Sequence, residues 1–555
     1  MNAYAVSLSK YVNTGILALF TLLSYLGLMT RPGRMRRAIE IIQRILLAGF
    51  LINANMTIAW LAEGSASRML LILCAMEILF MLSFMVLYRI VHEMANMMLF
   101  NNICMLLSIG FVTISRIAFY GNMEDIEYRS GEPIKQFVMA SAGLLIMLVI
   151  PFFRRFFDSL RHMWILFAVL GIAPLAAVLL LSRETNGAQI TSTILGFTFQ
   201  PSEFVKILFI LMLAGILSGD VTKEKAVMAT ILSLIHVGIL VQSTDLGSAL
   251  IFFIVYLMVL FIATGKWSVI FGGFGLGAVG SVICYFLFSH VKVRVGIWRD
   301  PFSVIDGMGY QITQSLFAIS YGGLWGAGLT QGTPTSIPNV ETDFIFSAIT
   351  EEMGLVFAVC LLLLCINCFI RILILSGSYS NRFFQLFTYG AAVCYIFQTF
   401  LTVGGETKFI PLTGVTLPLV SYGGSSVLST LTMFGMIEMI FILHDERTAR
   451  FKQRYDQEHS ANAYADLPQG YSGYLQGDPA GYADVPGGYK GNSGGYNGST
   501  GGDLKDYADI SGGSSDHQGS YMDGLSDHED DISLYDDVPE NFPVNGISED
   551  GIFDS

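Results

Sequence analysis

Gly247-Ser-Ala-Leu-Ile-Phe-Phe-Ile-Val-Tyr-Leu-Met-Val-Leu-Phe-Ile-Ala-Thr264 is eighteen residues without a charge, flanked by Asp245 and Lys266. As a helix it covers about 27 Å, close to the ~30 Å hydrocarbon core of a bilayer. Twelve more apolar runs repeat the pattern, at about residues 12–30, 41–62, 69–90, 97–118, 136–153, 163–182, 203–218, 226–243, 268–290, 355–375, 383–403 and 424–443. The expectation is an all-α, polytopic integral membrane bundle of about thirteen transmembrane helices.

Composition agrees with that reading. Of 555 residues, 53% are hydrophobic and 14% charged, against about 25% charged in ordinary soluble domains, which excludes a cytosolic globular enzyme. The net charge of −13 averages two unlike parts: Tyr455 to Ser555 holds 20 acidic residues against Lys490 and Lys505, leaving 29 basic and 24 acidic residues before it. A mildly basic body therefore carries an acidic tail. Rich in Gly, Tyr, Asp and Ser, the tail has too little apolar surface to offset the entropy of ordering, so disorder is expected there.

Lys and Arg collect on alternate loops, as the positive-inside rule requires. One set holds Arg34, Arg36 and Arg37, then Arg154, Arg155 and Arg161, then Lys223 and Lys225, and the tail entrance at Arg447 and Arg450; the other is sparser despite longer loops. An odd number of crossings then puts the N-terminus outside and the tail in the cytoplasm of a cell-membrane protein. The first apolar run lacks a basic flank before it and small cleavage-site residues after it, so no cleavable signal is expected.

Residues 291–350 become a large extracytoplasmic loop, too long for a plain connector, with an amphipathic stretch at Gln311–Tyr321. A second outer segment, Gly404–Ser426, mixes Pro411, Gly414, Pro418, Gly423 and Gly424 with Val415, Leu417, Leu419 and Val420. Helix breakers among apolar residues at membrane depth suggest a re-entrant backbone, tolerated only where protein or a polar cavity satisfies its amides. The seven cysteines all lie in apolar runs; Cys365-Ile-Asn-Cys368 reads as helix packing rather than as a zinc or redox site.

Charges within such a bundle are costly and raise functional questions. Glu203 and Lys206 share one helix face, ordinarily as an orienting ion pair. Asp245 reads as a helix N-cap. Arg294, Trp298 and Arg299 read as interfacial anchors, or as cations placed to meet a lipid phosphate. Asp343, in Glu341-Thr342-Asp343-Phe344-Ile345-Phe346, is the last charge before an apolar helix and reads either as a cap or as a catalyst. Glu351 and Glu352 lie about 12 Å further along a helix, beyond the ~5 Å of a retaining glycosidase pair, so sugar chemistry here implies a single base.

Five motifs in order, Thr198-Phe-Gln-Pro-Ser-Glu203-Phe-Val-Lys206, Ser243-Thr-Asp245-Leu-Gly247, Gly309-Tyr-Gln-Ile-Thr-Gln-Ser-Leu316, Thr342-Asp-Phe-Ile-Phe346 with Glu351-Glu-Met-Gly354, and Pro411-Leu-Thr-Gly-Val-Thr-Leu-Pro418 with Ser421-Tyr-Gly-Gly-Ser-Ser426, resemble the SEDS family (shape, elongation, division and sporulation). The resemblance covers residues 97–445, a ten-helix core. Three additional N-terminal transmembrane helices (1–96) precede it and the acidic cytoplasmic tail (446–555) follows. Ser243-Thr244 stands where the pattern has Pro before Asp245, and Thr413 where some division-type members carry Lys, so no branch is chosen.

What the resemblance implies is a peptidoglycan glycosyltransferase that polymerises lipid II, an inverting hexosyltransferase serving cell division, elongation or sporulation. Asp343 falls on the family's essential acid and would take the proton of the attacking sugar hydroxyl. Substrate would be held by Glu203, Lys206, Asp245, Arg294, Lys408, Ser421, Gly423, Gly424 and Ser425. A divalent cation, Mg or Mn, would help neutralise the leaving diphosphate. The implied partners are lipid II, a class B penicillin-binding protein transpeptidase and membrane lipids, with no nucleic acid. The alternatives are a lipid II flippase, which calls for polar residues through the whole membrane depth, and a noncatalytic scaffold, which has no need of Asp343.

Overall fold

The computed structural model describes residues 2–465, except 31, 32, 63, 120–130, 182–191, 195, 196 and 380. The expected tail disorder falls mostly on residues 466–555, outside the described residues. Met1–Thr448 form one compact unit and Ala449–Ser555 a second.

The opening stretch forms a helix, Leu246–Thr264, for local reasons visible in its ends. Asp245 Oδ1 accepts from the Ser248 amide at 3.0 Å, and Gly265 closes the last turn at φ +66. Around it lie α1 (Asn2–Met29), α2 (Arg34–Leu61), α3 (Gly64–Val91), α4 (Met97–Phe119), α5 (Glu132–Val149), α6 (Trp164–Leu181), α7 (Pro201–Leu217), α8 (Lys223–Gln242), α9 (the quoted helix), α10 (Trp267–Leu287), α11 (Ser289–Arg299), α12 (Tyr310–Gly322), α13 (Ile345–Ser378), α14 (Arg382–Glu406) and α15 (Gly424–Ala465). A short antiparallel ladder pairs Ser192–Ile194 with Phe197–Phe199; this pairing was not expected from the sequence.

Among the described residues, twelve helices are long and apolar enough to cross a membrane. The remaining expected span is α7, 17 residues and almost wholly buried. At about 26 Å it is shorter than the hydrocarbon core and is enclosed by its neighbours. Every residue of α4 is buried, because α2 and α3 cover one side of it while α5 and α13 cover the other. None of α10 is buried; in a bilayer its apolar side chains face lipid.

The N-terminal helices are part of this bundle and not an appended domain. α1 runs beside α13, where Tyr25 Oη donates to the Leu363 carbonyl at 2.9 Å and Arg371 donates to the Ser24 carbonyl at 2.7 Å. At the other end Lys10 Nζ donates to the Gly326 carbonyl at 2.7 Å, and Tyr11 meets Trp325 edge-on with centroids 5.6 Å apart.

α13 starts ten residues before the run expected at 355–375, and it is broken at Gly354, φ +89. Such a break frees backbone groups that cannot stay unpaired in a membrane. The strap at 322–328 takes them: Ala327 and Gly328 amides donate to the Glu351 and Glu352 carbonyls at 2.9 and 2.8 Å, while Leu355 and Val356 amides donate to the Gly323 and Leu324 carbonyls at 2.9 and 3.1 Å. A Cβ on Gly354 would run into the Gly326 amide and the Trp325 carbonyl carbon. Glycine is therefore required on steric grounds as well as by its φ. Glu351 and Glu352 are spent on the same junction. Glu352 forms a buried ion pair with Arg116 at 2.7 Å, and the Glu351 carboxylate accepts from the Thr333 amide at 2.7 Å.

Candidate active site

The segment after α14 explains where the loop before α13 is held. Val415, Leu417, Leu419 and Val420 are buried, so the polar backbone between them needs partners. Thr402 Oγ1 donates to the Val415 carbonyl at 2.9 Å and Gln398 Nε2 to the Thr416 carbonyl at 3.1 Å. The Leu417 amide donates to Ser421 Oγ at 2.9 Å, and that hydroxyl donates to the Thr342 carbonyl at 2.6 Å. With the Tyr422 amide on the Glu341 carbonyl at 2.8 Å, two bonds tie the residues just before Asp343 to this segment.

Asp343 does not cap α13, since Phe344 is the N-cap and makes no side-chain bond. Its half-buried carboxylate lines two cavities. One, of about 310 Å³, includes Lys135, Gln136, Gln200, Tyr422, Gly423, Gly424 and Ser425 in its wall. The other, of about 330 Å³, includes Arg294, Trp298, Lys408, Ile410 and Leu412. Asp343 and Gly414 belong to both walls. Burial pushes the Asp343 carboxyl up to about 6, opposed by a bond with Thr342 and by the charge of Arg294 and reinforced by Glu341.

Arg294 donates to the Leu412 and Thr413 carbonyls at 3.4 and 3.2 Å, and Trp298 Nε1 to the Lys408 carbonyl at 3.1 Å. α11 thus clasps the chain after α14 and sets two cations on one cavity.

The structure brings Asp343, Arg294, Lys408, Gly423, Gly424 and Ser425 to these cavities. It places the other expected residues elsewhere. Glu203 and Lys206 pair at 2.6 Å inside the bundle, with Lys206 on Gln398 at 2.7 Å and Ser429 on Glu203 at 3.1 Å. Asp245 caps α9 and accepts from Ser202 at 3.1 Å. Ser421 is occupied by backbone. Sequence reasoning missed Lys135, Gln136 and Tyr422; Gln136, which opens an expected span, was the one with a visible signal, as a polar side chain on a membrane helix. Among the described residues no group of three or more His, Cys, Asp or Glu could hold a metal ion. A single carboxylate facing Arg294 and Lys408 does not fit a protein-held divalent cation.

These features define a polytopic helical membrane protein with one carboxylate at the junction of two cavities. A sequence profile described as "Cell cycle protein", for FtsW, RodA and SpoVE, matches residues 96–446, and the chain belongs to that family. It is 34% identical over 357 residues to peptidoglycan glycosyltransferase RodA of Mycobacterium bovis, covering 61% of this chain and 76% of that one. It is 32% identical over 280 residues to peptidoglycan glycosyltransferase MrdB of Escherichia coli, covering 49% and 76%. A solved structure described as "Structural coordination of polymerization and crosslinking by a peptidoglycan synthase complex" contains a chain 27% identical, with TM-score 0.52, over 62% of this chain and 97% of that one. Together these support a membrane enzyme of cell-wall synthesis with peptidoglycan glycosyltransferase activity.

Proposed function

We propose that this chain polymerises lipid II at the outer face of the cytoplasmic membrane, with Asp343 as the general base. The observation that carries the reading is the shared wall: one carboxylate reaches two cavities, as a reaction joining two large lipid-linked sugars requires. The cavity with Arg294 and Lys408 suits the unit that loses its diphosphate, because two cations stabilise the charge that develops as the anomeric C–O bond breaks. The cavity with Lys135, Gln136 and Tyr422 suits the attacking unit. Its hydroxyl gives its proton to Asp343 while the oxygen bonds to the anomeric carbon, and the diphosphate departs on its isoprenoid anchor with inversion. No metal is needed in this step as written.

The orientation follows from the same reading, with the N-terminus outside and the tail in the cytoplasm, so that the outer loop meets the exported precursor. The partner is a class B penicillin-binding protein, in keeping with the polymerisation and crosslinking complex that the fold matches. Purified full-length chain, with and without that partner, is incubated with fluorescent lipid II. Glycan strands from the wild type and none from Asp343→Asn are expected. Translocation of lipid II across vesicles without polymer would overturn the reading in favour of a flippase, and polymer from Asp343→Asn would remove the base.

A further inference from the structure

We propose that Glu406 is a positioning residue that keeps Asp343 available to substrate; the proposal rests on Asp343 being the base. The start of a helix presents amides with no partner in the helix itself, and these attract any nearby carboxylate. α13 begins two residues after Asp343, and its own N-cap, Phe344, supplies no side-chain acceptor. The acid best placed by sequence to serve that helix end is Asp343.

Another helix meets the need. Glu406, the last residue of α14, is fully buried, and its Oε2 accepts from both the amide and the hydroxyl of Ser347 at 2.8 Å each. Ser347 is the third residue of α13, one of the positions whose amide lacks a helical partner. Ser315 of α12 completes the junction, donating to the Glu406 carbonyl at 2.9 Å, with its Oγ lying 2.7 Å from Ser347 Oγ. Three elements therefore meet beneath the catalytic loop. Gly405 and Lys408, which flank Glu406, line the same cavity as Asp343. With the α13 amide occupied, the Asp343 carboxylate remains turned to the cavities; without Glu406, it becomes the nearest replacement cap and is withdrawn from the acceptor hydroxyl.

The test measures kcat and KM for lipid II polymerisation by the full chain, with unfolding temperature, for Glu406→Ala, Glu406→Gln, Glu406→Met and Asp343→Asn. Glu406→Ala is expected to lower kcat about tenfold or more, a barrier change of about 1.4 kcal/mol, with KM within about twofold. Glu406→Gln, whose amide oxygen still accepts from Ser347, restores at least half of wild-type kcat. Where Glu406→Ala fails to fold, Glu406→Met, which fills the space without an acceptor oxygen for the Ser347 amide, carries the test, with kcat expected to fall while KM holds. Wild-type kcat in a folded Glu406→Ala, or in Glu406→Met where Glu406→Ala does not fold, beside an inactive Asp343→Asn overturns the proposal alone. A Glu406→Gln variant as slow as Glu406→Ala overturns the acceptor role. Polymer made by Asp343→Asn overturns the base assignment and the proposal with it.

Discussion

Gly414 stands against Asp343 with so little between them that a Cβ on the glycine would sit 3.5 Å from the carboxylate Oδ2. That distance is an ordinary contact, so space alone does not forbid a side chain. The backbone does, because Gly414 has φ +71, where an L-residue costs about 1–2 kcal/mol. The thin partition between the two cavities therefore depends on glycine. Gly414→Ala is expected to lower the unfolding temperature and to slow polymerisation; an alanine variant with wild-type rate and stability would show that the wall needs no such conformation.

The pH dependence of the reaction follows from the Asp343 carboxyl, held at about 6 by burial. A base works ionised, so the rate should be half-maximal near pH 6 and fall about tenfold per unit below it. Stability runs the other way. A carboxyl raised above its usual range binds its proton more tightly in the folded chain, so protonation favours the fold and ionisation costs stability up to about pH 6. Asp343→Asn should abolish polymerisation at every pH and unfold at or above the wild-type temperature at pH 7.5. A rate that stays flat down to pH 5 would contradict the assignment.

Lys408 allows charge to be separated from strain. Its φ is +59, so Lys408→Gly removes the ammonium and relieves the backbone together. The expected variant is at least as thermostable as the wild type, yet about tenfold slower on lipid II. Arg294→Lys should be slow as well, since a lysine has no guanidinium fork to hold the Leu412 and Thr413 carbonyls while also facing the cavity. Steady-state kinetics with unfolding curves on the same preparations check both.

The Glu203–Lys206 pair predicts a stability phenotype. Removing one partner of a buried pair costs about 3–5 kcal/mol, whereas replacing both by uncharged groups of similar shape is often nearly neutral. Lys206→Met should therefore express poorly or unfold early, and Glu203→Gln/Lys206→Met should recover most of the loss. If the double variant is folded but inactive, the pair has a part in the reaction beyond stability.

The helix spans were legible because a membrane crossing is written locally: about 20 apolar residues suffice, whatever the partner. The Gly247–Thr264 run was read to within one residue, and Asp343 was singled out because a lone acid before an apolar helix is conspicuous. The break at Gly354 was not legible. It depends on hydrogen bonds to residues 322–328, some thirty positions away, and nothing in Met353-Gly354-Leu355 distinguishes a broken helix from a packed one. Ser421 was read as a substrate contact from its motif, while its hydroxyl is taken by Leu417 and Thr342. Gln136 passed as part of a membrane span, though its amide holds the Ser421 carbonyl at 3.1 Å.

The bond from Lys10 to the Gly326 carbonyl has a consequence for biosynthesis. More than three hundred residues separate donor from acceptor, so the ammonium at the start of the chain leaves the ribosome long before its acceptor exists. The earliest helices must wait in the bilayer, half-packed, until translation has delivered the strap and α13. A stall at any intermediate length leaves them with an unclosed seam, the kind of surface that membrane quality-control proteases and insertion chaperones recognise.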